Sequence, residues 1–460
     1  MRRSLFALII LQLALLYGGG KAIGDTSGMK DSDLASHSSF SFESQARDYL
    51  KKVTYTQKEV DNWIGGIGSF ISPVRKNSEG YDGLLGWIFV DNLAPEGMNN
   101  TNVLYSYAGA RKMIMYADKP CRINTYGDSF THCDQVSDGE TYQEFLAAHL
   151  CEPVRNFGIG GFSVYQAYLR MLQEETRTPA EYIIFNIYED DHYRNLHSWR
   201  NIREGGTPES RDVTVNSPPM PCVKVNEYKD EFIECNNPCP TRKSFFNMCD
   251  PDWVYETFKD DFVLKIALAK RNIENGEPEK SYEYITELCR EHGLNFDINS
   301  DESLKDAIDT LYTKEAIFAS KRIIDKIEEF ASERGKKVLY VLSYCSEGVE
   351  DGLSKGGRFD VHSRDKWDEI LNHSESEFKE GVRFDKEFID FLNDRGLPYI
   401  DLFEAHREDF AKYKISFEEY ADMYWTGHYT PKGNLFHAFA IKDKLIEMMD
   451  PKPIPYSSLD

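Results

Sequence analysis

The stretch Arg122–Asp134, RINTYGDSFTHCD, is a short, largely apolar run that ends in a tight polar turn, Gly127-Asp128-Ser129. Glycine, aspartate and serine each favour turns for local backbone reasons. The stretch therefore predicts a strand that delivers a serine to the tip of a loop. Taken alone, Ser129 is an ordinary turn residue, and its meaning depends on what the rest of the chain brings to the same place.

Four more β-rich apolar runs follow: PVRNFGIG (153–160), EYIIFNIYED (181–190), KKVLYVLSYC (336–345) and LPYIDLFEA (397–405). Helical patterns separate them. ETYQEFLAAHL (140–150) has apolar spacings of three and four behind an acidic start, DKEFIDFLNDRG (385–396) ends in a stop glycine, and PKGNLFHAFAIKDKLIEMM (431–449) is amphipathic. Strands alternating with helices imply βαβ units and a parallel sheet covered on both faces, an α/β fold. More than a simple crossover lies between the third and fourth runs, so residues of about 195–335 are expected to be a mostly helical insertion. Residues 41–118 mix helical and extended patches, end directly at the Ser129 strand, and are expected to pack as an extension on the core at 119–460.

The chain has 460 residues, 41% of them hydrophobic, and a formal net charge of −23. That composition supplies a core, and the charge argues against nucleic acid or an anionic membrane surface as partner. Arg2 and Arg3, an apolar run from Leu5 to Tyr17 and small residues to Ala22 have the layout of a secretory signal peptide, residues 1–22, followed by a polar leader at 23–40. The run is short for a bilayer span, so an exported, soluble mature protein is expected, secreted or periplasmic, with no stable membrane span. Export makes the cysteines informative. Cys222, Cys235, Cys239 and Cys249 cluster in a Pro- and Asn-rich stretch, read first as two disulfides stapling an irregular loop and second as a zinc site. With Cys121, Cys133, Cys151, Cys289 and Cys345 the total is nine, which leaves at least one thiol outside intramolecular pairs. Asn99 and Asn372 sit in glycosylation sequons.

Ligand-binding loops of an open α/β sheet lie at the C-terminal ends of its strands. There the sequence places Ser129, then the glycines of NFGIGGFS (Gly158, Gly160, Gly161), then YEDDHYRN (188–195), and finally YWTGHYTPKGN with His428. A serine hydroxyl needs a base to take its proton, histidine suits that role near neutral pH, and glycines let backbone N–H groups approach a developing oxyanion. Each residue alone has a bland reading as a turn or cap residue; the ordered set on one sheet edge does not.

The set resembles the SGNH/GDSL hydrolase superfamily. Gly127-Asp128-Ser129-Phe130 resembles its first block, NFGIGG its second and TGHYTPKGN its last. The resemblance implies a flavodoxin-like three-layer α/β/α sandwich with a five-stranded parallel sheet. It also implies Ser129 as nucleophile, His428 as general base, and the N–H groups of Ser129 and Gly161 as oxyanion donors. Two positions depart from the pattern. Asp190 stands where the third block has an asparagine, and an ionised carboxylate there accepts hydrogen bonds and does not donate them. Thr426 and Trp425 stand where a carboxylate usually orients the histidine, with Asp422 the nearest acid upstream. Glu189, Asp190, Asp191 and His192, with His132, Asp134 and His428, also have the ligand types of a cation site, against the plainer reading of cap and surface residues. The expected activity is hydrolysis of small acyl esters, acetylated carbohydrate among them, with no cofactor and no metal. Acyl transfer to a glycan through the same serine, and a silent glycan-binding protein, are the alternatives.

Overall fold

The run Tyr182–Tyr188 has no polar–apolar alternation, and all of its residues are buried. A strand of that pattern is covered on both faces, and it forms the centre of a sheet. The computed structural model describes residues 41–65, 79–89, 110–204, 217–346, 348–349 and 383–456. Its strands are β1 (Glu79–Asp82), β2 (Gly86–Phe89), β3 (Ile123–Tyr126), β4 (Val154–Asn156), β5 (Tyr182–Tyr188), β6 (Cys222–Asn226), β7 (Glu231–Cys235), β8 (Lys337–Ser343), β9 (Tyr399–Asp401), β10 (Trp425–Thr426) and β11 (His428–Tyr429). Five of them form a parallel sheet in the order β4-β3-β5-β8-β9. These are the five runs read from the sequence.

The strand order turns back on itself at β3: β4 lies on one side of it, and β5, β8 and β9 follow on the other. The C-terminal ends of β3 and β5 therefore border the crevice in which open α/β sheets take their ligands. Helix Pro431–Met448 packs along helix Tyr142–Leu150 and touches β8, while Val164–Arg177 and Asp301–Glu333 pack together and touch β3 and β8. Local chemistry sets the starts of these helices. Thr430 caps the last one ahead of Pro431, and Ser163 with Gln166 forms a capping box for Val164–Arg177.

Between β5 and β8 the chain adds helices Pro251–Phe258, Phe262–Glu274 and Glu279–Glu291 before the 33-residue helix Asp301–Glu333 returns to the sheet. The cysteine-rich segment is not wholly irregular. It contains the antiparallel hairpin β6–β7, and all nine cysteines are free thiols. Upstream of the sheet, helices Phe42–Val53 and Gln57–Ile64 and the β1–β2 hairpin are tied to the rest of the chain. Tyr49 donates to the Ile202 carbonyl at 2.8 Å, Tyr55 N–H to Met248 at 3.0 Å, and Gln166 Nε2 to the Leu85 carbonyl at 2.6 Å. The signal-peptide and leader segments and both sequons, Asn99 and Asn372, lie outside the described residues. Among those described, no helix is long and apolar enough to cross a membrane.

His437, on the last helix, is fully buried, stacks on Tyr142 at 4.1 Å, and bonds through neither ring nitrogen to another described residue. Burial lowers its pKa to about 3. An unfolded histidine titrates near 6.5, so this depressed group contributes its full stabilisation above about pH 6.5 and loses it as pH falls toward 3. His437→Phe removes that loss. Urea unfolding at pH 7.5 and 4.5 is expected to show the variant gaining about 2–3 kcal/mol on the wild type across the interval, whatever the packing offset at pH 7.5. Parallel curves would mean that His437 titrates normally.

Candidate active site

Gly127 follows β3 with φ 150°, and a Cβ on it would lie 2.3 Å from Thr131 Oγ1 and 2.6 Å from the Asn186 carbonyl oxygen. Only a glycine lets the chain pass so close to β5. Asp128 then caps a short helix, Ser129–His132, its Oδ1 accepting from Phe130 N–H at 2.9 Å. The turn holds Ser129 Oγ 3.2 Å from Asp128 Oδ2 and 2.8 Å from His428 Nε2. The second contact spans almost the whole sheet in sequence and brings together the two residues read as nucleophile and base.

The glycine turn after β4 lies against the same loop. Ile159 N–H donates to the Gly127 carbonyl at 3.2 Å, and a Cβ on Gly158 would meet His132 N at 2.3 Å. A Cβ on Gly160 would come 3.8 Å from that of Ser129, so the turn runs beside the serine. Gly161 has φ 78°, the left-handed region glycine enters without steric cost. Two side chains brace this turn from behind. Trp87 Nε1 donates to the Gly160 carbonyl at 3.1 Å, and Arg200 Nη1 would lie 2.6 Å from a Cβ on Gly161. Trp87 belongs to β2, so the N-terminal hairpin reaches the site.

His428 sits on the β10–β11 hairpin, whose apex is Gly427 at φ 94°. Its backbone N–H donates to Gln135 Oε1 at 2.8 Å, which ties the histidine loop to the serine loop. Beneath it, Tyr429 OH contacts His406 Nε2 at 2.8 Å, and His406 Nδ1 contacts Tyr420 OH at 3.0 Å. Asp422 is exposed on helix Phe417–Tyr424 and makes no hydrogen bond to His428, so it is not the orienting acid. Among the described residues, Asp128 interacts electrostatically with His428, and its own pKa is raised chiefly by burial.

Behind the serine loop lies a buried arginine. Arg194 donates from Nε to Asp190 Oδ2 at 2.9 Å, and from Nη1 to Asp191 Oδ1 at 2.6 Å and to the Phe162 carbonyl at 3.2 Å; Nη1 also stands 3.6 Å from Asp128 Oδ2. One guanidinium thus joins the ends of β3 and β5 and the chain just after Gly161. Burial raises Asp190, but Arg203, Arg194 and Arg200 outweigh it and hold its pKa well below the carboxylate range. Asp190 is therefore ionised, with Arg203 Nη1 2.7 Å from its other oxygen, and serves here as counter-ion to two arginines. Burial and the neighbouring Asp128 push Asp191 upward instead.

These contacts occupy the acidic run that has cation-ligand chemistry. His192 Nδ1 bonds to Ser320 Oγ at 2.7 Å, His132 Nδ1 to Asp134, and among the described residues no group of three or more His, Cys, Asp or Glu side chains is arranged to hold a metal ion. Of the residues singled out in the sequence, Ser129, His428 and the Gly160–Gly161 turn come together, with Asp190 in the ion-paired layer behind. Sequence reasoning missed Trp87, Gln135, Arg194 and Arg200. The one local signal was the i, i+4 and i, i+3 spacing of Arg194 from Asp190 and Asp191. No protein-family model matches the chain, and no curated protein does.

Proposed function

We propose that the protein is a serine esterase of the SGNH type, on a flavodoxin-like sandwich, that hydrolyses small acyl esters, acetylated carbohydrate among them. The observation that carries this reading is the 2.8 Å contact of Ser129 Oγ with His428 Nε2 beside a glycine turn at the reversal point of the sheet. In the proposed cycle Ser129 Oγ attacks the acyl carbon and its proton passes to His428 Nε2. The N–H groups of Ser129 and Gly161 receive the oxyanion. His428 returns the proton to the departing alkoxide, leaving an acyl-serine. Water, deprotonated by His428, attacks the acyl-serine and releases the acid.

The Asp190–Arg194–Asp191 layer positions the loops in this scheme and transfers no proton. Asp128, adjacent to the serine and interacting with His428, lends negative charge to the imidazolium in this scheme.

A fluorophosphonate probe tests the proposal, because serine Oγ displaces its fluoride only when a base activates it. The folded wild type is expected to take up one phosphonyl group on the tryptic peptide Ile123–Arg155, and Ser129→Ala to take up none. A folded wild type that stays unlabelled from pH 6 to 9 would overturn the catalytic reading and favour a glycan-binding protein.

A further inference from the structure

The hairpin β6–β7 sets Cys222 directly opposite Cys235 at its open end, with Asn226 opposite Glu231 at the turn. Cα atoms of directly opposed residues in an antiparallel pair lie about 4.5–5.5 Å apart. Disulfides span about 4.4–6.8 Å between Cα atoms. The pair therefore needs no backbone movement to be bridged. The two thiol groups lie close enough to shift each other's pKa. We propose that Cys222 and Cys235 are a redox dithiol that closes to a disulfide by exchange with a low-molecular-weight disulfide.

Their surroundings assign the two roles. Cys235 is half-buried, whereas Cys222 is buried. The neighbouring Cys222 thiol lowers Cys235 to about 6 against the effect of burial, with the Lys224 charge assisting. The same interaction, then burial, raises Cys222 well above its ordinary value. Cys235, the more exposed of the two and the one whose pKa is lowered, is thus the attacking group. Its sulfur attacks the oxidant disulfide and expels one thiolate, forming a mixed disulfide. Cys222, on losing its proton, attacks the Cys235 sulfur and expels the second thiolate. Two protein thiols and one small disulfide become one protein disulfide and two small thiols. Other cysteines lack this setting: burial lifts Cys133 and Cys239 to about 12 and Cys289 to about 11, where the thiol is inert.

The bond would close where the hairpin meets the active-site layer. Val223 N–H donates to the Asn195 carbonyl at 2.8 Å and Met220 N–H to that of Ser198 at 2.9 Å, so β6 borders the residues between Arg194 and Arg200. On the far side Lys326 pairs with Glu234 at 2.9 Å and Arg322 with Asp230 at 3.2 Å, holding the hairpin to helix Asp301–Glu333. A cross-link here removes loop entropy from the unfolded chain in a region the folded protein already fixes.

The test uses the full chain incubated with oxidised glutathione, trapped with N-ethylmaleimide under denaturing conditions and digested without reduction. The expected result is a peptide pair joined through Cys222 and Cys235. A Tm on the order of 5 °C above that of the dithiothreitol-treated protein should accompany it. Cys235→Ser should lose both the link and the rise, while Cys239→Ser keeps both. Full alkylation of Cys222 and Cys235 after oxidation, a lasting glutathione adduct on Cys235, or a link from either residue to another cysteine would each overturn the proposal. Because the readout is mass and Tm, it is independent of Ser129 chemistry.

Discussion

Ser129→Ala is expected to lower turnover of p-nitrophenyl acetate on the order of 10⁴-fold, and His428→Ala to lower it nearly as far. In the proposed cycle the serine supplies the bond-forming oxygen and the histidine makes it a nucleophile, so neither works without the other. The double variant should therefore be no slower than Ser129→Ala alone, because residues that act as one unit are not additive. Removing the hydroxyl opens no cavity, and the Asp128 cap on Phe130 N–H remains, so Tm should stay close to the wild type. Steady-state kinetics with a thermal melt on each variant decide the matter. A Ser129→Ala enzyme within tenfold of the wild type would remove Ser129 from the reaction. Losses that multiply in the double variant would mean that the 2.8 Å contact is not the catalytic one.

The five sheet strands were legible because central parallel strands are continuous apolar runs, and in β5 burial on both faces leaves no alternation to misread. The convergence of Ser129, the Gly160–Gly161 turn and His428 was legible because turns and glycines mark the ends of elements on one sheet edge. The β6–β7 hairpin was not, since its residues alternate with Lys224, Glu231 and Glu234, and proline and asparagine surround it. Charge on the exposed strand of a hairpin looks like charge on a loop. Long-range partners left still less trace: Trp87 finds Gly160 across 73 residues, and Gln135 finds His428 across 293. Asp190 shows the limit most clearly. Standing where the resembled motif has an asparagine, it was open to reading as a mismatch or as a cation ligand, whereas its environment makes it the counter-ion of Arg194 and Arg203. A substitution is understood only with the charge that answers it.

That dependence makes Arg194→Met the most disruptive change in the layer behind the site. Arg194 is buried, with a side chain 7% exposed, and faces Asp128, Asp190 and Asp191, none above 5%. The three acids and the surrounding burial act on its pKa in opposite senses, and the acids prevail and raise it. Methionine fills similar volume but leaves these carboxyl groups in a low-dielectric interior with Arg203 as the remaining cation bonded to Asp190. Breaking a buried ion pair from one side costs about 3–5 kcal/mol, because the stranded charge keeps its desolvation penalty. Urea unfolding should show a loss of that size with an unchanged m-value. Arg203→Met, whose side chain is 26% exposed, should cost less because solvent screens its pair with Asp190. Adding Asp190→Asn to Arg194→Met should recover part of the stability, since it removes the carboxylate held most firmly ionised. Equal losses for the two arginine variants, or no recovery in the double variant, would mean that the layer is held by packing and not by charge.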